Sequence, residues 1–262
     1  MRPILLHDKV EIEQLLRRDG IYLHLYALGD LDDLHWPHSK YYTLPRGEIR
    51  PVLLLYTGLS VPTVWALTDK VPALLQELTL AVIQILPASF HAHLSEGMTS
   101  LLEDGFKIES HGVFCKMGLT DPSRSAAINT ADVHSLSGAD AEELKRFYDH
   151  SYPGHWFEPQ MLQTGAYYGI RKESKLVSVA GVHIRSSAYR VAALGNIATH
   201  PDHRGQGLAT AACARLCQEL LPEIEHIGLN VKMDNKSAIA CYEKLGFESM
   251  ATYQECMIKV KG

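Results

Sequence analysis

The run Thr199-His200-Pro201-Asp202-His203-Arg204-Gly205-Gln206-Gly207-Leu208-Ala209-Thr210 joins a strand-like stretch at 189–198 to a helix-like stretch at 208–220. Gly205 and Gly207 flank one residue at the point where the helix must begin. Glycine there lets several backbone N–H groups turn toward one anion, and the helix dipole adds partial positive charge. Arg204 can add a charge-assisted hydrogen bond, and Ala209 presents almost no side chain to an approaching ligand. The turn reads as a pyrophosphate cradle of an α/β domain. It is not a P-loop, because the chain holds no Gly-x-x-x-x-Gly-Lys-Ser/Thr motif. It is not the dinucleotide fingerprint Gly-x-Gly-x-x-Gly either, because Thr210 stands three positions after Gly207.

A second segment follows. Residues 227–232 alternate like a strand, and Asp234-Asn235-Lys236-Ser237 then opens a helix with good capping chemistry. That helix, at 237–245, ends at Gly246, a residue suited to a left-handed C-terminal position, with Phe247 after it. Asn235 and Tyr242 are seven positions apart, so about 3.6 residues per turn puts them on nearly one face. The pattern Arg204-x-x-Gly207-x-Ala209, with Pro201 before it, resembles the coenzyme A motif (Arg/Gln-x-x-Gly-x-Gly/Ala) of the GNAT superfamily of N-acetyltransferases. Asn235-x-x-Ala238-x-x-x-Tyr242-Glu243-Lys244-Leu245-Gly246-Phe247 looks like that family's second cofactor segment. The resemblance covers roughly residues 131–262 and implies an α/β (α+β) fold, a mixed central sheet flanked by helices.

The order of elements after 131 agrees with it. A short strand at 133–136, a helix at 138–148, a break at Tyr152-Pro153-Gly154-His155 and a second helix at 157–164 come first. Strands at 166–172 and 175–186 lead to 189–198 and the cradle, and 252–260 supplies the last strand. The small, polar stretch 119–127 reads as a linker. It predicts two domains, 1–122 and 123–262. The first half repeats the pattern loosely: a helix at 11–18, strands at 51–57 and 63–67, a helix at 72–86, a short strand at 89–93, a helix at 95–103 and a strand at 106–117. At its cradle position stands Leu67-Thr68-Asp69-Lys70-Val71-Pro72-Ala73, with no glycine and an acidic residue. The reading is two GNAT-like domains, the N-terminal copy degenerate and without a cofactor site. That layout is loosely similar to the glycine N-acyltransferase-like proteins.

Composition restricts the partners. Among 262 residues, 46% are hydrophobic and the net charge is −5, which argues against a nucleic-acid binder. The N-terminal apolar run is too short for a signal peptide, and no run reaches the about 18 apolar residues of a membrane span. Five cysteines, an odd number, favour reduced thiols and a cytoplasmic setting. Cys213 and Cys217 share a helix face with no third ligand at a recognisable spacing, so they read as core, and no metal is implied.

The resemblance implies acyl transfer from acetyl-CoA to an amine, with a small-molecule acceptor. A longer acyl-CoA donor or a non-catalytic coenzyme A-binding module are the alternatives, and a homodimer is compatible with each. The cofactor would be held by Ile197, Ala198 and Thr199 through their main chain, with Asn196 beside them, and by Arg204, Gly205, Gln206, Gly207, Leu208, Ala209, Thr210, Asn235 and Tyr242. Tyr242 is the candidate acid for the leaving thiolate, since a phenol with a pKa of about 10 stays protonated at neutral pH. Core packing is the other reading of Tyr242, and helix capping that of Asn235. His183, in an apolar strand, is the candidate base, with His155, His200, Glu158 or a water chain as alternatives. Tyr152, His155, Trp156 and Phe157 form an aromatic lip where that family's acceptor site usually lies. Asp30, Asp32, Asp33, His35 and Trp36 could bind a cationic amine or form a solvated loop.

Overall fold

Asp8 starts the first helix, its carboxylate accepting from Val10 N and Glu11 N at 2.8 and 3.3 Å. The helix then buries Ile12, Leu15, Leu16 and Asp19 at the three- and four-residue steps of one face. The computed structural model describes residues 2–47 and 49–261. In chain order the elements are β1 (Ile4–Leu6), α1 (Lys9–Gly20), α2 (Leu25–Gly29), β2 (Ser39–Thr43), β3 (Leu53–Tyr56), β4 (Thr63–Ala66), α3 (Pro72–Val82), β5 (Ser89–Leu94) and β6 (Phe106–Leu119). There follow α4 (Pro122–Ala126), β7 (His134–Ser135), α5 (Ala141–Ser151), β8 (Tyr168–Lys172), β9 (Lys175–Ser186), β10 (Val191–Thr199), α6 (Leu208–Leu220), β11 (His226–Lys232), α7 (Lys236–Lys244) and β12 (Phe247–Val260).

The chain folds as two units, Met1–Lys116 with Met250–Gly262, and Met117–Ser249. This division differs from the one expected at residue 122. The reason is strand pairing: Gln254 to Lys259 of β12 pair antiparallel with Leu94 to Ser89 of β5, so the last strand belongs to the first unit. Nothing local in 252–260 announces a partner strand over 150 residues earlier.

In the first unit β1-β2-β3-β4-β5-β12 are neighbours in that order, antiparallel except for the parallel β4–β5 pair. Alternation puts Leu53, Leu55, Val64, Ala66, Phe90, Ala92, Leu94, Cys256 and Ile258 into one core with Leu75, Leu78 and Val82 of α3. The intervening residues build a ring stack. Trp65 lies 5.3 Å from His93, His93 4.9 Å from Tyr253, and Tyr253 5.6 Å from Phe114. Lys116, 1% exposed, sits 4.9 Å over Tyr253 and 5.5 Å over Tyr26. Burial pushes its ammonium down to about 7, against the pull of Glu255.

The turn before α3 is filled by the protein's own groups. Asp19 accepts from Thr68 Oγ1 at 2.8 Å, from His24 Nε2 at 2.8 Å and from Lys70 N at 3.3 Å, and Val71 N donates to Thr68 Oγ1 at 3.2 Å. Burial alone would raise the Asp19 carboxyl, but its bonds to His24, Thr68 and Lys70 hold it below the ordinary value. A carboxylate thus occupies the place where an anion would approach.

In the second unit β11-β10-β9-β8-β7 are neighbours, with β10–β11 parallel and the rest antiparallel. Leu144, Phe147 and Tyr148 of α5 pack with Leu136, Phe157, Leu162, Tyr167, Leu176, Val179 and Ala198. α6 buries Cys213 and Cys217, and burial drives both thiols upward, Cys217 to about 12. Two expected helices are shorter. Residues 95–103 form only the 3-10 turn Thr99–Leu101, where Gly97 takes φ +78. Residues 157–164 form the 3-10 turn Pro159–Thr164, closed by Gly165 at φ +65.

Gly246 ends α7 at φ +94, and a Cβ there would meet Asp121 O at 2.0 Å. Its carbonyl accepts from Thr120 N at 3.0 Å and Asp121 N at 3.1 Å. Gly246→Ala combines a left-handed residue with a backbone clash and should destabilise by about 3 kcal/mol in urea unfolding. A loss below about 0.5 kcal/mol, the scale of an unconstrained surface substitution, would refute the close approach. Lys116 binds a proton more readily unfolded than folded, so wild-type stability should rise with pH between about 7 and 9. The expected slope approaches about 1.4 kcal/mol per pH unit. Lys116→Met should be the more stable at pH 7 and lack that slope; parallel pH profiles for the two proteins would contradict the buried amine.

Candidate active site

β10 does not stay with its neighbours. Its parallel pairing with β11 runs from Val191↔His226 to Leu194↔Leu229, while β10 itself continues to Thr199. On the other side, Gly195 pairs with Gly181 and Ala198 with Val179, so β10 spends one more residue than β9 between these pairs. That is a bulge, and Asn196 within it takes φ +51. A non-glycine residue in that region costs on the order of 1–2 kcal/mol, which the surroundings must offset.

They do so with a buried polar network. Tyr148 Oη donates to Asn196 O at 2.6 Å. Asn196 Nδ2 donates to Tyr167 Oη at 2.9 Å and to Trp156 O at 3.2 Å, with Met161 Sδ at 3.4 Å. Tyr167 Oη donates to Val182 O at 3.3 Å. Burial, then the neighbouring Tyr167 and Tyr152, push the Tyr148 hydroxyl well above its ordinary value, so it remains a donor. Burial also pushes Tyr167 up to about 12. Two glycines make room for the rings. A Cβ on Gly181 would lie 2.2 Å from the Tyr167 ring, and one on Gly195 2.4 Å from His183. The sequence reading missed this network. Its available signal was Gly195-Asn196 inside a strand: glycine there marks a bulge or close approach, and Asn tolerates the left-handed region.

The turn after β10 has the expected backbone. Gly205 and Gly207 take φ +76 and +75, and a Cβ on either would meet nothing within 4 Å. Conformation rather than crowding selects glycine here. Gly207 is the N-cap of α6, whose first helical bond runs from Ala211 N to Gly207 O at 3.0 Å. An α-helix leaves the N–H groups of its first turn, here Leu208, Ala209 and Thr210, without intrahelical partners. The Arg204 guanidinium is already engaged. Its Nε donates to Thr199 O and its Nη2 to Ser151 O, both at 3.2 Å. It therefore ties the turn to the end of β10 and to the C-terminus of α5, where a cation is favoured. Gln206 Oε1 accepts from Lys172 Nζ at 2.6 Å, and Thr210 Oγ1 lies 3.2 Å from Cys241 Sγ. Thr199 Oγ1 lies 2.9 Å from Ser178 Oγ; Ala198 is buried and Ile197 half-buried.

Asn235 acts as the cap of α7, its Oδ1 accepting from Ala238 N at 3.2 Å. Tyr242 on that helix is buried, with its ring centroid 6.1 Å from that of Phe247. Burial, then the nearby Cys213, Cys241 and Tyr152, push its phenol well above the ordinary value, so the oxygen keeps its proton. His183 meets the opposite condition for its assigned role. Burial pushes its imidazole down to about 4 despite a hydrogen bond with Asn196. An imidazole so shifted is neutral and a weak proton acceptor at pH 7, which argues against the expected base.

The other candidates each make local bonds. His155 Nε2 lies 3.1 Å from Asp149 Oδ1, and its Nδ1 accepts from Phe157 N at 3.1 Å, so both ring nitrogens hold the loop. His200 Nδ1 accepts from Asp202 N at 3.3 Å. Glu158 is exposed and bound to Gln160. Of the aromatic lip, Tyr152 and Trp156 are exposed at 47% and 42%, whereas Phe157 is buried in the core beside Tyr148. The acidic cluster of the first unit is only partly solvated. Asp30 is 3% exposed and burial raises its carboxyl, while His35 Nδ1 lies 3.0 Å from Tyr56 Oη and Trp36 stacks 5.9 Å from Tyr41. Asp33 is the exposed member, paired with Lys9 at 2.7 Å. Among the described residues no group of three or more His, Cys, Asp or Glu is placed to hold a metal ion, and no helix is long and apolar enough to cross a membrane.

Residues 132–247 match the family described as "Acetyltransferase (GNAT) family". An acetyltransferase of Yersinia pestis is 36% identical over 69 residues, 26% of this chain and 45% of its own length. One of Sodalis glossinidius is 42% identical over 53 residues, 20% of this chain and 37% of its own. The chain thus spans under half the length of these curated relatives. A Drosophila protein of known structure superposes with a TM-score of 0.71 at 15% identity, covering 98% of each chain. A tandem GNAT protein from the clavulanic acid biosynthesis pathway gives 0.55 at 15% identity over 100% of this chain and 98% of its own. These structural likenesses show the fold. Residues 132–247, in the C-terminal half of this chain, match the GNAT acetyltransferase family, and the solved structures share that fold.

Proposed function

We propose that this chain transfers an acetyl group from acetyl-CoA to the primary amine of a small molecule or amino acid. One observation carries the reading: β10 parts from β11 after Leu194 and runs on into a glycine turn that ends at the N-terminus of α6. A strand so released offers main-chain donors and acceptors to an extended ligand, and the helix N-terminus beside it suits a phosphate.

The residues fit coenzyme A. Gly205 and Gly207 leave open space where any Cβ would stand, and the first-turn N–H groups of α6 provide donors for a pyrophosphate. Gly205, Gln206, Gly207, Leu208, Ala209 and Thr210 would hold that group through their main chain, with Arg204 fixing the turn. Ile197, Ala198 and Thr199 would hold the pantetheine arm and the thioester oxygen. Asn235 would act by setting where α7 begins. When bound, coenzyme A supplies the acetyl group as an activated thioester and leaves as a thiol.

Tyr242 keeps its proton and donates a hydrogen bond to the departing sulfur. A phenol raised above about 10 does not surrender its proton fully to a thiolate of ordinary pKa about 8.5, so its contribution is the hydrogen bond. The lowered imidazole of His183, at about 4, is a weak acceptor for the proton of an alkylammonium, ordinarily near 10.4. The acceptor would lose its proton to water and the departing thiolate would take one from water, with the His183 ring as a wall of the site beside Trp156, 5.4 Å away.

Calorimetry should detect acetyl-CoA binding by the wild type and at least a hundredfold weakening in Gly207→Glu, whose carboxylate would face the pyrophosphate. Circular dichroism checks that the variant is folded; retained affinity in a folded variant would rule out the cradle. In a screen of amines followed by thiol release, Tyr242→Phe should lower turnover by about a hundred- to a thousandfold, the scale of a lost preorganised donor, with acetyl-CoA affinity within about threefold. Unchanged turnover would remove Tyr242 from the chemistry.

A further inference from the structure

The bulge in β10 is held by something other than β-sheet pairing. Tyr148, 0% exposed, reaches from α5 to the carbonyl of Asn196 at 2.6 Å. Its ring is fixed against Phe147, His155 and Phe157, with centroids 5.4, 5.3 and 5.0 Å away, so the hydroxyl has little freedom to point elsewhere. The carbonyl it binds belongs to the one residue of β10 at positive φ. Fixing that carbonyl fixes the peptide plane joining Asn196 to Ile197, and with it the N–H of Ile197 on the other end of the same plane. Ile197 and Ala198 follow immediately, where β10 has already left β11.

We propose that Tyr148 is a positioning residue: by clamping the Asn196 carbonyl it aims the Ile197 amide at the acyl oxygen of the bound thioester. The inference rests on the acetyl-CoA reading above and adds a residue to it, on a helix that lies outside both cofactor segments. The clamp acts through the main chain. The Asn196 side chain, bound to Tyr167 and Trp156, serves the local fold, and the Tyr148 hydroxyl sets the amide direction.

The distinguishing measurement is isotope-edited infrared spectroscopy of acetyl-CoA labelled with carbon-13 at the thioester carbonyl. Wild-type protein should lower the carbonyl frequency of the bound ligand relative to free acetyl-CoA. Tyr148→Phe deletes one oxygen and keeps the ring; it should lose at least half of that shift while acetyl-CoA affinity stays within threefold. Asn196→Gly accepts positive φ without strain and keeps the carbonyl, so it should retain the shift. Thermal melting verifies that each variant is folded, and the glycine variant carries the test on its own if Tyr148→Phe does not fold. A full shift in Tyr148→Phe overturns the clamp, as does loss of the shift in Asn196→Gly or an unshifted band in the wild type. Failure of the wild type to bind acetyl-CoA at all is a different result, and overturns the proposed function beneath it.

Discussion

The hydrogen bond from Tyr148 to the carbonyl of Asn196 stands where the second unit departs from regular sheet geometry. There β10, whose pairing with β11 ends at Leu194, bulges against β9 between Gly195 and Ala198. The departure is costly locally, since Asn196 sits in a left-handed conformation within a strand. It persists because α5, the 156–161 segment and Tyr167 each contribute a bond to the same residue. The strain at this one point is offset by the packing around it.

The first unit shows the same topology resolved the other way. Its parallel pair β4–β5 is laddered along the whole of β4, Thr63↔His91 through Ala66↔Leu94, so no strand is released. Its turn before α3 is bonded to Asp19, whose carboxylate accepts from the Thr68 hydroxyl and from Lys70 N. The aromatic stack around Lys116 then builds up this unit's interior on the sheet face away from α3. In the second unit β10 runs on past its pairing with β11; in the first, β4 stays paired along its whole length and Asp19 is bonded into the turn that precedes α3.

Much of this was legible in the sequence where the signal is local. Residues 175–186 and 208–220 are strand and helix with the bounds that alternation and the glycine turn imply. The positive φ of Gly205, Gly207 and Gly246 follows from their positions at helix ends. What escaped depends on distance along the chain. The pairing of residues 254–259 with β5 has no marker in either segment. Arg204 looks like an anion ligand in the motif, yet its reach to Ser151 O depends on where α5 ends. The lowering of the His183 imidazole comes from its packing beside Trp156 and Gly195, contacts that apolar flanks alone do not specify. Asn196 left one trace, the preceding glycine, which reads as a bulge only when both neighbouring strands are known.

The exchange of β12 has a bearing on synthesis. Residues 250–260 lie between β5 and β6 in the first unit, yet a ribosome makes them some 130 residues after β6. The second unit is continuous and can close as soon as it emerges. The first cannot, although it is made first. At about 5–20 residues per second, the facing edges of β5 and β6 stay unpaired for on the order of ten seconds. An edge held open that long is a template for pairing with other chains, so the nascent protein is most vulnerable in the first of its two units.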